Sequence, residues 1–143
     1  MQRIPKQKGF TLIELMVVVA VIAILGTIAV NSYRDSVVRA NRAAAVGFVL
    51  EVANAQERYF LDNRSYAIDS GSTSAIEDTL GMAIPDEVAD NYTLTVTDPA
   101  GSVQYLISAA PKGAQASDDS ACGTLTLNNQ GAKTDAGGDR CWK

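Results

Sequence analysis

Few side chains in this 143-residue sequence stand where their chemistry is unusual, and the first is Glu14. It is a carboxylate inside an otherwise unbroken apolar run, FTLIELMVVVAVIAILGTIAV, at residues 10 to 30. Immersing an acid in hydrocarbon costs about 2.5 to 3.5 kcal/mol if Glu behaves as Asp does on the insertion scale. Such a group needs a partner or a shallow position. The second feature is a pair of cysteines, Cys122 and Cys141, both in the last quarter of the chain. The third is a C-terminal gathering of Lys133, Arg140 and Lys143 beside Trp142, a local basic and aromatic patch. Against these stands an absence, because the sequence contains no histidine. That removes the usual general base near neutral pH, the Ser-His and Cys-His nucleophile pairs, and most zinc sites. The remaining Ser, Asp and Lys residues form no nucleophile-and-base constellation, so no enzyme and no cofactor is expected. Asp118-Asp119 and the set Asp86, Glu87 and Asp90 could offer oxygens to Ca²⁺, but neither has the spacing and glycine of a calcium loop. These are expected to be solvated loop carboxylates, with no metal site.

The apolar run is long enough to cross a bilayer core of about 30 Å as a helix rising about 1.5 Å per residue. Arg3, Lys6 and Lys8 precede it, which by the positive-inside rule gives a single-pass, N-in, C-out anchor with residues 31 to 143 across the membrane. Thiols oxidise there, so Cys122 and Cys141 are expected to form one disulfide, the alternative being two unrelated buried thiols. Net charge is −4, and removal of residues 1 to 9 with their three cations takes it to −7. An acidic head is a poor general binder of nucleic acid. An ordinary secretory signal, cut after Thr27-Ile28-Ala29, is the competing account of the same segment.

A cut after Gly9 would give Glu14 a partner. Phe10 would then carry a positive amine at a helix N-terminus, the end where the helix dipole already favours a carboxylate. Within one helix the amine and the acid lie about one turn apart; in a bundle of staggered copies the acid of one subunit could neutralise the amine of its neighbour. Alternatively Glu14 snorkels to the headgroups at the membrane edge. The residues alone favour neither.

The stretch Lys8-Gly9-Phe10-Thr11-Leu12-Ile13-Glu14-Leu15 resembles the class III signal of type IV prepilins and related pseudopilins. The resemblance implies that a prepilin peptidase, an aspartyl membrane protease, cuts after Gly9 and methylates the amine of Phe10, and that Glu14 guides docking into a growing filament. It divides the chain into a leader (1–9), a hydrophobic membrane and filament-core helix (10–33) and a periplasmic or extracellular head (34–143). The implied partners are other pilin subunits, the peptidase, the inner-membrane assembly machinery and the membrane before assembly. An inner-membrane precursor then becomes part of an extracellular pilus serving adhesion, twitching motility or DNA uptake. CGTLTLNNQGAKT and the closing CW resemble minor pilins related to PilE and to competence pilins, which points to a minor subunit rather than the major one. One branch of those pilins binds DNA, which makes Lys133, Arg140 and Lys143 candidate DNA contacts in a second reading. A type II secretion pseudopilin is the rival within the fold, commonly without a C-terminal disulfide. Pilins bracket a C-terminal region with such a bond, and Cys122 with Cys141 match that arrangement. One departure lies at Asn31, where many pilins carry a proline that helps bend or melt the buried helix. Gly26 and Asn31 are weaker breakers, at about 1 kcal/mol or less against Ala, which leaves local melting in a filament without its usual cause.

These residues need a scaffold. Val38, Ala45, Val49, Val52 and Tyr59 recur at three, four or seven residue steps, so the helix is expected to continue to about Phe60. Joined to the membrane span it would be a spine of about 50 residues and about 75 Å. Beyond it, a short helix from Ala75 to Met82 is expected, with Ser74 and Glu77 as a capping box. Tyr92–Thr97 and Val103–Ala109 alternate apolar and polar residues around a type I turn at Asp98–Gly101, and Thr124–Leu127 and Ala132–Thr134 form a second hairpin through Asn128–Gly131. The expected class is α+β: a long N-terminal helical spine packed on a four-stranded antiparallel sheet, with a C-terminal disulfide loop. Closing that loop of about 20 residues is worth roughly 3 kcal/mol in the chain-entropy model.

Overall fold

The computed structural model describes residues 10–69, 72–99, 104–137 and 140–142. The long helix α1 runs from Leu12 to Asn63. The chain separates into two compact units, one ending at Ser36 and the other beginning at Val37.

In the first unit α1 is apolar on every side, and its large side chains from Leu12 to Val30 are all exposed. A helix coated all round is one that lipid or other apolar helices must cover. The segment is long and apolar enough to cross a membrane. Two of its hydroxyls bond to the helix's own backbone: Thr27 donates to the Ile24 carbonyl at 2.7 Å, and Ser36 to the Ser32 carbonyl at 2.9 Å. Such internal bonding is what a hydrocarbon environment demands. Helical backbone continues through Gly26 and Asn31.

In the second unit the coat narrows to one stripe. Ala45, Val49, Val52 and Gln56 are fully buried, with Phe48 and Ala55 beside them, at the three- and four-residue steps that place them on one face. That face packs on an antiparallel sheet in the order β1-β2-β3-β4, formed by Tyr92–Thr97, Leu106–Pro111, Leu125–Asn128 and Lys133–Thr134. Alternation sends Leu94 and Val96 of β1, Ile107 and Ala109 of β2, and Leu125 and Leu127 of β3 inward to the helix. Full burial of each of the larger ones, Leu94, Val96, Ile107, Leu125 and Leu127, contributes about 1.5 to 3 kcal/mol. The helix ends where Arg64 takes a left-handed φ of 55°, its amide donating to the Phe60 carbonyl at 2.8 Å.

The expected α+β architecture holds, with local corrections. Strand β2 lies at 106–111 rather than 103–109, because pairing Leu94 with Ala109 and Val96 with Ile107 puts both inward pairs opposite the helix. Val103, Ala100 and Gly101 lie outside the described residues, and with them the expected turn. In place of a helix from Ala75 to Met82 there is one π-helical turn, Ala75–Thr79, closed by the Leu80 amide on the Ala75 carbonyl at 3.0 Å. Ser74 does not cap it. Thr73 does, accepting the Ile76 and Glu77 amides at 2.9 and 3.0 Å on its carbonyl and donating its hydroxyl to Glu77 at 2.6 Å. Two short helices escaped the sequence reading, α2 (Asp86–Ala89) and α3 (Gly113–Asp118); each is too short to show a helical period.

Cys122 and Cys141 are bonded, with Cα atoms 5.6 Å apart, and both are buried. Gly137 is packed against the bridge: a Cβ there would lie 2.7 Å from the Ala121 carbonyl oxygen and 2.8 Å from the Cys141 sulfur. Gly137→Ala is therefore expected to raise the fraction of free thiol in the purified chain and to expose the C-terminal tail to protease. Thiol titration and limited proteolysis of the purified protein check this, with Gly131→Asn, at an open turn position of φ 76°, as the tolerated control.

Candidate functional site

Helix α1 begins with a reciprocal cap. The Glu14 amide donates to the Thr11 hydroxyl oxygen at 3.3 Å, while the Thr11 amide and hydroxyl both donate to one Glu14 carboxylate oxygen at 3.4 Å. This is a Thr-x-x-Glu capping box, and it satisfies orphan donors of the first turn while holding the acid at the positive end of the helix dipole. The Thr-x-x-Glu spacing is present in the sequence, but an acid in an apolar run is conspicuous for its charge, which does not point to Thr11 as its partner. Phe10 is 85% exposed beside it. Gly9 lies outside the described residues.

The other expected site residues are divided. Lys133, on β4, sits with its ammonium 5.4 Å from the centre of the Trp142 ring, a cation–π contact. The Trp142 indole donates to the Thr134 carbonyl at 3.3 Å, so the residue after Cys141 is folded back on the edge strand. Arg140 is exposed one position before the bridge. Lys143 lies outside the described residues. The structure thus joins Lys133 to Trp142 and leaves Arg140 on the same disulfide-held tail.

The carboxylates differ from expectation at Asp119, which is buried rather than solvated. Its two oxygens take a bidentate pair from Arg42 at 2.7 and 2.9 Å, and Tyr92 and Gln115 donate to it at 3.3 and 3.2 Å. Gln115 also donates to the Tyr92 hydroxyl at 3.0 Å and to the Val38 carbonyl at 3.1 Å, and accepts from Asn41 at 3.2 Å. A buried acid needs such a set, since desolvation is offset only by good geometry and full hydrogen bonding. Nothing in the local sequence around Asp118-Asp119 points to Arg42, which is 77 positions away. A second clasp is the Gln56 amide, which donates to the Ala67 carbonyl at 2.6 Å and accepts its amide at 2.9 Å, pinning the loop after α1. Asp86, Glu87 and Asp90 are exposed, as expected of solvated carboxylates.

Three tyrosines are raised by this packing, Tyr66 by burial with Glu57 beside it and two others more strongly. Burial, with the Asp119 carboxylate beside it, pushes the Tyr92 phenol up to about 12. Burial, with Glu57 accepting its hydroxyl at 3.4 Å, pushes Tyr105 up to about 12 as well.

A family model described as the type IV minor pilin ComP, DNA uptake sequence receptor, matches residues 31–126, more than half of the chain. The chain is a type IV pilin. The model of the prokaryotic N-terminal methylation motif matches residues 4–30 of the pilin. The pilin is 31% identical to the type II secretion system core protein G of Escherichia coli, over 80% of its own length and 81% of that protein's. It is 32% identical to the type IV major pilin protein PilE1 of Neisseria gonorrhoeae over 71% of its length, and spans 58% of that relative. The solved type IV pilin of Shewanella oneidensis shares its fold, with a TM-score of 0.52 at 22% identity, covering 74% of this chain and 98% of that one. The family is one of structural subunits that associate in filaments.

The raised phenols carry a pH consequence. Unfolded tyrosine ionises near pH 10, whereas Tyr92 and Tyr105 hold their protons to about 12, so between these values the unfolded chain binds fewer protons. Head stability is expected to be full below pH 10 and to decline steadily from there to 12. Urea-unfolding midpoints of the pilin across pH 9 to 12 check this, and Tyr105→Phe is expected to flatten the decline.

Proposed function

We propose that this pilin is a minor subunit of a type IV pilus, cut between Gly9 and Phe10 by a prepilin peptidase, methylated on the Phe10 amine and assembled into a surface filament. The observation that carries this reading is the all-round apolar coat from Leu12 to Val30 with one carboxylate, Glu14, at its N-terminal end. Thr11 already engages that acid as a cap, and a cut after Gly9 would add a positive partner within one turn or on a neighbouring subunit. In this reading the precursor is an N-in, single-pass inner-membrane protein that the assembly machinery transfers to the pilus. The Cys122–Cys141 bond supports a pilus over a secretion pseudopilus, despite the similarity to core protein G. The service of the filament is adhesion, twitching motility or DNA uptake.

Mass measurement of the N-terminal peptide from sheared surface filaments, with and without prepilin peptidase, tests the proposal. N-methylated Phe10 is expected in the filament fraction, and Glu14→Ala is expected to abolish incorporation while leaving membrane insertion intact. An uncut Met1 chain confined to membranes, or cleavage after Ala29, overturns the reading.

A second reading, DNA reception, is favoured by the match to the DNA uptake sequence receptor model and by Lys133 lying over Trp142. In that reading Lys133, Arg140 and Lys143 meet phosphates while Trp142 supplies a stacking face. The pilin in detergent is then expected to retain duplex DNA with an affinity that falls steeply with salt, and the three changes to Ala to abolish it. No retention at low salt ends this reading.

A further inference from the structure

Two of the chain's five tyrosines share one acceptor. The Tyr66 hydroxyl donates to Glu57 Oε1 at 3.3 Å, and the Tyr105 hydroxyl donates to the same oxygen at 3.4 Å. Their ring centroids lie 4.8 Å apart with the planes at 79°, so the edge of one ring meets the face of the other. Phe60 stacks on the Tyr66 ring at 4.7 Å, and the Gln56 clasp on Ala67 fixes the backbone one residue further on. The pair is therefore held from several sides. Tyr105 is buried and Tyr66 half-buried, whereas Glu57 is exposed and lines, with Tyr105, a depression between α1 and the β3–β4 turn. Solvent thus reaches the shared carboxylate. Among the described residues no other two tyrosines are in ring contact. One buried phenol finding an acceptor is ordinary. Two phenols on the same oxygen go further, because they bring both hydroxyls, and the ortho carbons beside them, together.

We propose that Tyr66 and Tyr105 are a site of oxidative cross-linking, joined ring to ring as dityrosine by hydrogen peroxide acting through a haem peroxidase. Each phenol gives one electron to the oxidant and its hydroxyl proton to Glu57, which passes it to water, leaving a phenoxyl radical on each ring. The unpaired spin of a phenoxyl is shared with its ortho carbons, so one ortho carbon of each ring forms the new carbon–carbon bond. The hydrogens on those two carbons then move to the oxygens and restore both phenols. Two electrons and two protons have left the protein, and they reduce one hydrogen peroxide to two waters. The geometry suits this step. A tyrosine hydroxyl lies on the axis about which its ring turns, so one ring can rotate from edge-to-face to edge-to-edge without leaving Glu57, over a torsion whose wells are broad. Two directly bonded rings have centroids only slightly closer than the 4.8 Å found here, so little approach is needed. The bond would tie the segment after α1 to the residue that precedes β2, and reductants that open Cys122–Cys141 would leave it intact.

The test treats the full-length pilin, held in a maltoside detergent, with hydrogen peroxide and a haem peroxidase, and reads dityrosine fluorescence together with peptide masses. The expected product is a chain lighter by two hydrogens that still runs as a monomer on a denaturing gel and yields a linked peptide pair containing Tyr66 and Tyr105. Tyr66→Phe and Tyr105→Phe are each expected to remove it, and Tyr66→Phe, at the half-buried position, decides alone if the other variant misfolds. Tyr33→Phe and Tyr59→Phe are expected to leave the yield unchanged. Glu57→Gln keeps an oxygen acceptor and removes the base, and is expected to slow coupling by about tenfold, less than a positioned base usually contributes because water also reaches the site. No dityrosine, linkage only between molecules, linkage through Tyr33 or Tyr59, undiminished product in Tyr66→Phe, or an unchanged rate in Glu57→Gln overturns the proposal.

Discussion

Burial of one face of α1 against the sheet is the contact on which the head depends. Ala45, Val49 and Val52 have no exposed surface, and the inward residues of three strands meet them. The same helix has no such face in its first half, where apolar residues surround the axis. One continuous element therefore carries two kinds of surface. The first requires an apolar solvent or other apolar helices; the second requires a sheet. The change from a full coat to a stripe accompanies the change from one unit of the chain to the other, between Ser36 and Val37. In the proposed function Glu14, the assembly residue, falls on the coated half.

Polar clasps supply what the short elements cannot. The segment from Lys112 to Cys122 contains only a six-residue helix, too short to be stable by itself, yet Gln115 and Asp119 are both almost wholly buried. They are held by Arg42, Asn41 and the Val38 carbonyl on α1 and by Tyr92 on β1. Removing one member would leave a buried polar group uncompensated, which is why such networks tend to be complete or absent. No buried side-chain nitrogen or oxygen among the described residues lacks a partner. Gln56 plays the same part for the loop that follows the helix, using its amide as a short substitute for a strand.

The C-terminal tail and the sheet's outer face differ in how they are built. The disulfide brings Trp142 back to β4, where Lys133 lies over its ring. A tail so held can present a cation and an aromatic plane together without relying on the two-residue strand β4 alone. The outer face owes its order to register alone, which sets Thr95, Ser108, Thr126 and Thr134 in one row across the strands.

By itself the sequence determined what depends on neighbours along the chain. Twenty or so apolar residues after three cations specify a membrane-length helix; steps of three, four and seven specify its stripe; alternation specifies strands at 92–97 and around 125. The Thr11–Glu14 cap was equally local and equally legible. Tertiary structure alone decided what depends on distant residues. Thr73 rather than Ser74 caps the π-helical turn, because the path of the backbone there, and not the local motif, sets which donors face which acceptors. Strand β2 sits later than its alternation suggested, because its inward residues are set by the partners they meet on β1. Asp119 became an interior anion, and four hydroxyls came into line, for the same reason: burial and register are properties of elements brought together from far apart, and neither leaves a mark in the spacing of adjacent residues.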